Sequence, residues 1–176
     1  MKPPVLTLWL TGLSAAGKTT LAQALYRQWQ EAGIRCQILD GDEVRRDLCA
    51  DLGFSREDRR ENIRRVALRC RELNQQGICV VVALISPYRA DRQMARELIG
   101  APGFVEIYLA TELVVCEARD PKGLYRKARA GDIPAFTGVS DPYEPPLTPD
   151  LQLDTACLSV ETCCLQVQSL LALRHA

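Results

Sequence analysis

The chain has 176 residues, a length typical of a single domain with its own hydrophobic core. Its 22 basic and 22 acidic side chains balance, which argues against a nucleic-acid-binding surface and favours a small molecule or a protein as partner. The eight cysteines have no C-x-x-C spacing and His175 is the single histidine, so the composition argues against a zinc site. We expect reduced thiols in a cytoplasmic protein, and no membrane-spanning segment because no apolar run is long enough.

The first segment with a clear pattern is a strand, a glycine-rich loop and a helix. Residues 5–11 are apolar and partly β-branched, and apolar residues recur at helical spacing from position 21 to position 29. Between them, residues 12–19 read GLSAAGKT and match G-x-x-x-x-G-K-[ST], a phosphate-binding loop. In such a loop, backbone N–H groups and the helix N-terminus surround a phosphate. Lys18 would reach the β- and γ-phosphates and Thr19 would ligate Mg²⁺, so the sequence predicts a nucleoside triphosphate site.

Strands and helices alternate along the rest of the chain. Further strands are predicted at 34–40, 78–85, 104–109 and 151–153. Helices are predicted through 44–48, from about 56 to 76 behind the N-cap Ser55, at 91–98, through 115–116 behind the N-cap Thr111, and at 159–173. This alternation predicts an α/β fold with a parallel five-stranded sheet, helices on both faces and the site at the carboxyl ends of the strands.

Residues 119–149 lack a hydrophobic period and are rich in proline and glycine. A segment of this length without regular structure is typically a functional lid. It carries the cations Lys122, Arg126, Lys127 and Arg129, which would neutralise charge during phosphoryl transfer. We therefore predict one domain over residues 1–176 with a lid at about 119–149.

Polar groups follow two of the predicted strands. Asp40 and Asp42 come after the second strand, and residues 85–87 (ISP) come after the third. Two carboxylates beside a bound nucleotide can hold metal-bound water or accept a proton from an attacking hydroxyl. For Asp42 alone, the N-cap of the following helix is an equal alternative.

The long helix predicts a second set of site residues. Its buried stripe extends back to Arg59 and Asn62, which we expect to face the core at the cleft, with Arg59 as an anion ligand. Glu61 and Arg65 form a predicted surface pair. Phe54 and Phe136 lie in polar loops without an obvious core partner, so either they stack on a base or they pack under a loop.

At these residues the chain resembles the adenylyl-sulfate kinase (APS kinase) family over nearly its whole length. The matching stretches are residues 12–20 (GLSAAGKTT), 40–42 (DGD) with Arg45, 53–55 (GFS), 58–59 (DR), 61–65 (ENIRR), 85–89 (ISPYR), 117–125, 127–131 (KARAG), 136–138 (FTG), 141–146 (DPYEPP) and 153–155 (LDT). The resemblance implies a P-loop kinase fold. It also implies transfer of the γ-phosphate of Mg-ATP to the 3′-hydroxyl of adenylyl sulfate, which yields PAPS and ADP, and a homodimer.

The resemblance also implies roles for individual residues, including an adenine sandwich by Phe54 and Phe136. Catalytic roles are implied for Lys18, Asp40, Asp42 and Ser86, and Mg²⁺ would be held by Thr19 and Asp40, partly through water. ATP would be bound by Gly12, Leu13, Ser14, Ala15, Ala16, Gly17, Lys18, Thr19, Thr20, Arg119 and Arg129. Adenylyl sulfate would be bound by Asp40, Asp42, Arg45, Phe54, Arg59, Asn62, Ile85, Ser86, Pro87, Lys122, Leu124 and Phe136.

The sequence departs from the family pattern at two positions. Ala15 stands where a glycine is usual, which we expect to be tolerated only if its φ stays below zero. Leu84 replaces a usual phenylalanine, which would loosen the packing beside the adenine. The Ser86 position is sometimes described as a phosphorylated intermediate, but in-line transfer needs no such step, so a binding role is favoured.

Two other readings compete with this one. The chain would act as another small-molecule P-loop kinase if its acceptor were a sugar, a shikimate-like acid or a nucleoside, although such acceptors do not call for an aromatic sandwich. It would act as a nucleotide-binding regulatory subunit if turnover had been lost, against which Lys18, Asp40 and the lid cations argue. A GTPase is disfavoured because the D-x-x-G at Asp120 comes late and no N-K-x-D follows.

Overall fold

The structure is a computed structural model that describes residues 4–174, so His175 lies outside the described residues. Five strands form one parallel sheet: β1 (Thr7–Thr11), β2 (Cys36–Asp40), β3 (Cys79–Ala83), β4 (Phe104–Leu109) and β5 (Leu151–Leu153). The helices are α1 (Lys18–Glu31), α2 (Gly41–Arg46), α3 (Arg56–Gln75), α4 (Arg89–Ile99), α5 (Leu113–Arg119), α6 (Leu124–Arg129) and α7 (Val160–Leu173). The predicted parallel five-stranded sheet is confirmed.

The sheet is covered on both faces because its central strands are apolar at every position. All five residues of β1 and of β3 are buried. Alternate residues of β1 enter different cores: Leu8 and Leu10 pack with α1 and α7, whereas Trp9 packs with α3 and α4. This alternation follows from the two-residue period of a strand.

The strand order β2-β3-β1-β4-β5 positions the site. β1 and β3 are neighbours, but the chain leaves β1 towards α1 on one face and leaves β3 towards α4 on the other. Where adjacent parallel strands send their connections to opposite faces, a crevice opens at their carboxyl ends. The phosphate loop and residues 85–87 therefore form the two sides of one crevice.

Two predictions of local structure are wrong. Thr111 does not cap α5, because the N-cap of this helix is the next residue, Glu112. The Thr111 hydroxyl instead forms a hydrogen bond with the hydroxyl of Thr155 at 2.8 Å. The segment 119–149 is not structureless, since α6 lies within it. The Asp120 carboxylate accepts hydrogen bonds from the backbone N–H groups of Tyr125 and Arg126, both at 3.0 Å, and so stabilises the first turn of this short helix.

All eight cysteines are free, and Cys157 is the exposed one. Burial raises the pKa of the Cys70 thiol well above its usual value. Within residues 4–174, no helix combines the length and the apolar character needed to cross a bilayer.

Candidate active site

The phosphate loop connects β1 to α1 and depends on its two glycines. Gly12 has φ +155° and Gly17 has φ +98°. A Cβ at Gly12 would lie 2.7 Å from the carbonyl oxygen of Leu109, so only glycine fits between the loop and β4. The predicted strand-loop-helix context of the motif is confirmed.

Ala15 departs from the expectation that its φ would be negative. Its φ is +63°, in the left-handed region that disfavours residues with a Cβ. The loop path is imposed by hydrogen bonds on either side of Ala15, among them that from Ala16 N to Leu13 O and that from Arg119 to Ala15 O. Ala15 is therefore a strained position that the family's usual glycine would relieve.

We expect the Ala15→Gly protein to be more stable than the wild type by about 1 kcal/mol, because the left-handed conformation costs a Cβ-bearing residue that much. Thermal unfolding of the nucleotide-free proteins should show a rise of roughly 2–4 °C. The matched control is Ala24→Gly, since Ala24 lies within α1, where glycine is disfavoured, and its melting temperature should fall. An Ala15→Gly melting temperature below that of the wild type would contradict the prediction.

Lys18 lies inside the phosphate loop. Its Nζ donates to the carbonyl oxygens of Gly12 at 3.0 Å and Leu13 at 2.6 Å, and the residue is 8% exposed. Burial lowers the pKa of Lys18 from the usual 10.5 to about 8. The loop thus holds an ammonium group that is poorly solvated and gains from an incoming phosphate.

This pKa predicts a pH dependence of nucleotide binding. Below pH 8 the ammonium is already charged in the free protein, whereas above it binding must take up a proton. We expect the affinity for ATP to fall by up to about tenfold per pH unit above pH 8. Calorimetry at pH 8.7 in two buffers of different ionisation enthalpy should detect proton uptake by the wild type but not by Lys18→Met, and equal uptake by both would refute the assignment.

The two carboxylates at the carboxyl end of β2 have different partners. Asp40 Oδ2 accepts from the Thr19 hydroxyl at 2.6 Å, and Asp40 Oδ1 accepts from the Asp42 backbone N–H at 3.2 Å. Asp40 is therefore the N-cap of α2, and the alternative that Asp42 is the cap is wrong. The exposed Asp42 carboxylate instead forms an ion pair with Lys122 of the lid. The contact joins the lid to the strand end beside the phosphate loop.

α3 presents Arg59 and Asn62 to the core, as predicted, with exposures of 8% and 5%. The donors of Arg59 are directed at protein groups: Nε at Phe54 O, Nη1 at the Thr137 hydroxyl, and Nη2 at Ala135 O and, at 3.0 Å, the Asp141 carboxylate. Arg59 thus fastens the lid to α3. The predicted surface pair Glu61–Arg65 is confirmed at 2.9 Å.

Asn62 has an acceptor without a partner. Among residues 4–174, its Oδ1 is the one buried side-chain oxygen or nitrogen that makes no hydrogen bond. A buried acceptor left unsatisfied costs stability, so such an atom marks a place where a ligand donor would be favourable.

The two loop phenylalanines differ. Phe54 is 63% exposed, as predicted, and the Arg45 guanidinium lies 4.6 Å from its ring centroid. Arg45 also donates to Gly53 O at 2.6 Å. Phe136 is 8% exposed and packs edge-on against Tyr125 at 5.0 Å, so the interpretation that it lacks a core partner is wrong. Its loop folds back because three backbone N–H groups converge on Phe136 O.

The loop after β3 has a strained residue at its centre. Ser86 has φ +49° and is buried. Its hydroxyl accepts from Trp9 Nε1 at 3.0 Å and is 3.4 Å from Leu84 O, so it faces the interior. Leu84, in place of the family's phenylalanine, is itself buried against the α3 side of the sheet.

A cavity of about 390 Å³ adjoins the phosphate loop on the side of α7. It is lined by Ala15, Gly17, Thr20, Leu21, Arg119, Pro121, Thr155, Leu158, Val160 and Cys163. Arg119 donates to Ala15 O at 3.1 Å and to the hydroxyl and carbonyl of Thr155 at 2.9 and 2.8 Å. A wider depression of about 530 Å³ beside β2 contains none of the predicted site residues.

The sequence reasoning missed the α7 side of this cavity. Thr155 lies two residues beyond the end of β5, so the strand-end rule used for Asp40 would have indicated it. Leu158, Val160 and Cys163 carry no polar signal, and only the packing of α7 against α1 brings them to the loop. Two other predicted residues lie around the lid: Arg129 pairs with Glu117 at 2.7 Å, and Leu124 is half-buried against the core.

Comparison with known proteins agrees with this geometry. The sequence profile of the adenylylsulphate kinase family matches residues 4–154. Adenylyl-sulfate kinases of Vibrio cholerae and Halothermothrix orenii are 52% and 56% identical to the chain, over 96% and 88% of it and 78% and 83% of the relatives. The Mycobacterium tuberculosis APS kinase CysC, solved with AMPPNP and APS, has a TM-score of 0.92 and 44% identity, over 97% of this chain and 99% of that one.

More distant structures share the fold alone. A Sinorhizobium meliloti gluconokinase has a TM-score of 0.63 at 16% identity, over 98% of this chain and 94% of the other. This similarity shows that the two proteins share the arrangement of strands and helices, and it gives no information about the acceptor substrate. The family profile covers most of the chain, and the two relatives named above are more than 50% identical to it. The chain therefore belongs to the adenylylsulphate kinase family.

Proposed function

We propose that the protein transfers the γ-phosphate of ATP to the 3′-hydroxyl of adenylyl sulfate, giving PAPS and ADP. The observation that carries this proposal is the likeness, over 97% of the chain, to an APS kinase structure that holds AMPPNP and APS. The phosphate loop, the Asp40 carboxylate at the end of β2 and the unsatisfied Oδ1 of Asn62 are groups that such a reaction can use.

The ATP half of the site is the phosphate loop with the cavity beside it. The backbone N–H groups of residues 12–20 and the Lys18 ammonium bind the phosphates. Arg119 and Thr155 line the cavity in which the ATP base lies. We assign Arg129 an indirect part, since its bonds to Glu117 link α6 to α5.

The acceptor half lies between α3, residues 85–87 and the lid. Arg45, Phe54 and Asn62 contact adenylyl sulfate, with Asn62 Oδ1 accepting one of its donors. Ile85, Ser86 and Pro87 form the wall opposite α3 through their backbone. We assign Ser86 no covalent role because its hydroxyl faces Trp9. The lid, with Leu124, Phe136 and Arg59 at its base, excludes water that would otherwise accept the phosphate.

In this proposal, Asp40 accepts the proton of the acceptor hydroxyl. In the transfer, the 3′-oxygen bonds to the γ-phosphorus while the bond from that phosphorus to the β–γ bridging oxygen breaks, and the hydroxyl proton passes to the Asp40 carboxylate. Lys18 and the loop N–H groups stabilise the charge on the transferring phosphoryl group. Asp42 and Lys122 form the ion pair that closes the lid beside Asp40.

The donor set at this point fits Mg²⁺. The Thr19 hydroxyl and the Asp40 carboxylate are hard oxygen ligands 2.6 Å apart, the type that Mg²⁺ prefers. Bound with ATP, Mg²⁺ would neutralise phosphate charge. A homodimer, a cytoplasmic location and a single domain with its lid at about 119–149 remain predictions, and one solved relative, from Thiobacillus denitrificans, is described as a hexameric APS kinase.

The test is phosphate transfer from Mg-ATP to adenylyl sulfate, measured as PAPS formed, beside adenosine, gluconate and shikimate as acceptors. PAPS formation with the other acceptors inert would support the proposal. Turnover of another acceptor while adenylyl sulfate is ignored would leave only the P-loop kinase fold. Binding of adenylyl sulfate without its phosphorylation would favour a regulatory subunit.

A further inference from the structure

A buried guanidinium lies behind the acceptor half of the crevice and has no part in the function proposed above. Arg92 of α4 is 2% exposed, and its Nε donates to Glu106 of β4 at 2.9 Å. A buried ion pair is weak evidence for stability, because removing two charges from water costs about as much as their attraction returns. The ion pair with Glu106 therefore does not by itself account for the burial of Arg92, whose two other nitrogen atoms bind elsewhere.

Those donors bind two loops that are far apart in the sequence. Arg92 Nη1 donates to Ser86 O and Nη2 donates to Glu144 O, both at 2.6 Å. Ser86 lies at the centre of the loop after β3, and Glu144 lies in residues 141–146, which we call the strap. Because a guanidinium is planar and its donors diverge at set angles, it fixes the separation of the two carbonyls that it binds.

The strap is joined to the same loop by its own backbone. Glu144 N donates to Pro87 O at 2.8 Å, and Arg89 N donates to the Glu144 carboxylate at 2.8 Å. These bonds place the strap alongside the loop after β3. They do not by themselves set the conformation of Ser86, whose positive φ needs support from its surroundings.

The network reaches the phosphate loop through Thr11. The Thr11 hydroxyl donates to Ile85 O at 2.7 Å, so its oxygen accepts from the Tyr143 hydroxyl of the strap at 2.9 Å. Thr11 is the residue immediately before Gly12. Burial raises the pKa of Tyr143 well above its usual value, so this donor stays protonated.

We propose that Arg92 is a positioning residue that holds the loop 85–87 and the strap at the separation that acceptor binding requires. Glu106 orients the guanidinium, and Arg92 itself touches no reacting atom. The inference rests on the proposed function, since it names what holds the acceptor half of that site in place.

The variant that tests it is Arg92→Lys, which keeps a positive charge beside Glu106 but loses the planar fork. We expect the KM for adenylyl sulfate to rise about tenfold or more, since small misplacements of a site are costly, while the KM for ATP stays within about twofold. The matched control is Arg96→Lys. Arg96 lies one turn along α4, pairs with Asp150 at 3.2 Å and approaches Glu106 at 3.8 Å, and within residues 4–174 it bonds to neither loop, so it perturbs the same carboxylate without touching the two carbonyls.

Hydrogen exchange supplies a readout that is independent of the acceptor. The backbone N–H groups of Glu144 and Arg89 should exchange at least about tenfold faster in Arg92→Lys than in Arg96→Lys at equal melting temperature. If the wild type makes no PAPS, the proposed function fails, whereas this exchange still decides the positioning role. Unchanged exchange together with an unchanged KM in Arg92→Lys would overturn the inference.

A second variant guards against misfolding. Arg92→Met alone would leave the buried Glu106 with only its longer contact to Arg96 at 3.8 Å, so the double variant Arg92→Met/Glu106→Gln removes both charges of the pair. The inference expects it to fold and to show the same raised KM for adenylyl sulfate. A folded double variant with the wild-type KM would show that the ion pair is structural and would also overturn the inference.

Discussion

The Lys18→Ala protein is expected to form PAPS about 10²–10³ times more slowly than the wild type at saturating substrates. The Lys18 ammonium is held inside the phosphate loop by Gly12 O and Leu13 O, where it stabilises charge on the transferring group. Neighbouring cations do not replace it, because Lys122 is paired with Asp42 and Arg119 is bonded to Thr155. The kcat of PAPS formation measures the effect.

The loss should not come from unfolding. Burial lowers the pKa of Lys18 to about 8, so at neutral pH the ammonium is still charged but its burial costs folding free energy. Replacing Lys18 with alanine removes this cost. We therefore expect a melting temperature close to that of the wild type. The control is Arg69→Ala, which removes an exposed cation that pairs with Glu72 on α3. Equal kcat values for the Lys18→Ala and Arg69→Ala proteins would exclude the assigned role.

The kcat of the Asp40→Asn protein is expected to be about 10²–10⁴ times lower than that of the wild type, because a positioned proton acceptor usually contributes a rate factor of this size. An amide cannot take the proton of the 3′-hydroxyl. Its oxygen can still accept from the Asp42 N–H, and asparagine is a good N-cap, so α2 should form as before. The measurement is the kcat of PAPS formation at saturating Mg-ATP and adenylyl sulfate.

Two comparisons make this result specific. Asp47→Asn neutralises an exposed carboxylate at the end of α2 that pairs with Arg46, and it should keep the wild-type kcat. Titration with Mg²⁺ separates the two roles given to Asp40. Full recovery of kcat at high Mg²⁺ would show that the variant has lost a metal ligand and that Asp40 is not the proton acceptor.

The periodicity of the sequence predicted the strands and long helices well because these elements are defined by local burial patterns. β4 begins and ends at the predicted residues, Phe104 and Leu109, and α3 begins behind the predicted N-cap Ser55. α6 was missed because six residues are fewer than two turns, too few for a period to emerge. What stabilises it is the carboxylate of Asp120, which precedes the helix.

For the site, sequence motifs predicted which residue types meet at the crevice but not which atoms are available there. Lys18, Asp40 and Thr19 come together because a strand end and a motif bring them to one edge of the sheet. The role of Arg59 as an anion ligand stays a prediction, but no sequence pattern indicated its partners Thr137, Ala135 and Asp141 in the lid, which are more than 70 residues away. Such partners depend on how the lid folds back, for which the sequence carries no period.

The sequence by itself therefore determined the phosphate loop, the parallel α/β architecture and the family, since each rests on local motifs and periods along the chain that can be read without knowing which distant segments touch. Only the tertiary structure decided that Ala15 is strained, that Phe136 is buried and that Asp40 caps α2. It alone brought Arg92 between the loop after β3 and the strap. The physical reason is that burial and most side-chain partners are set by contacts between segments distant in the chain, and that local patterns leave open which of two equivalent residues, such as Asp40 and Asp42, adopts the capping conformation.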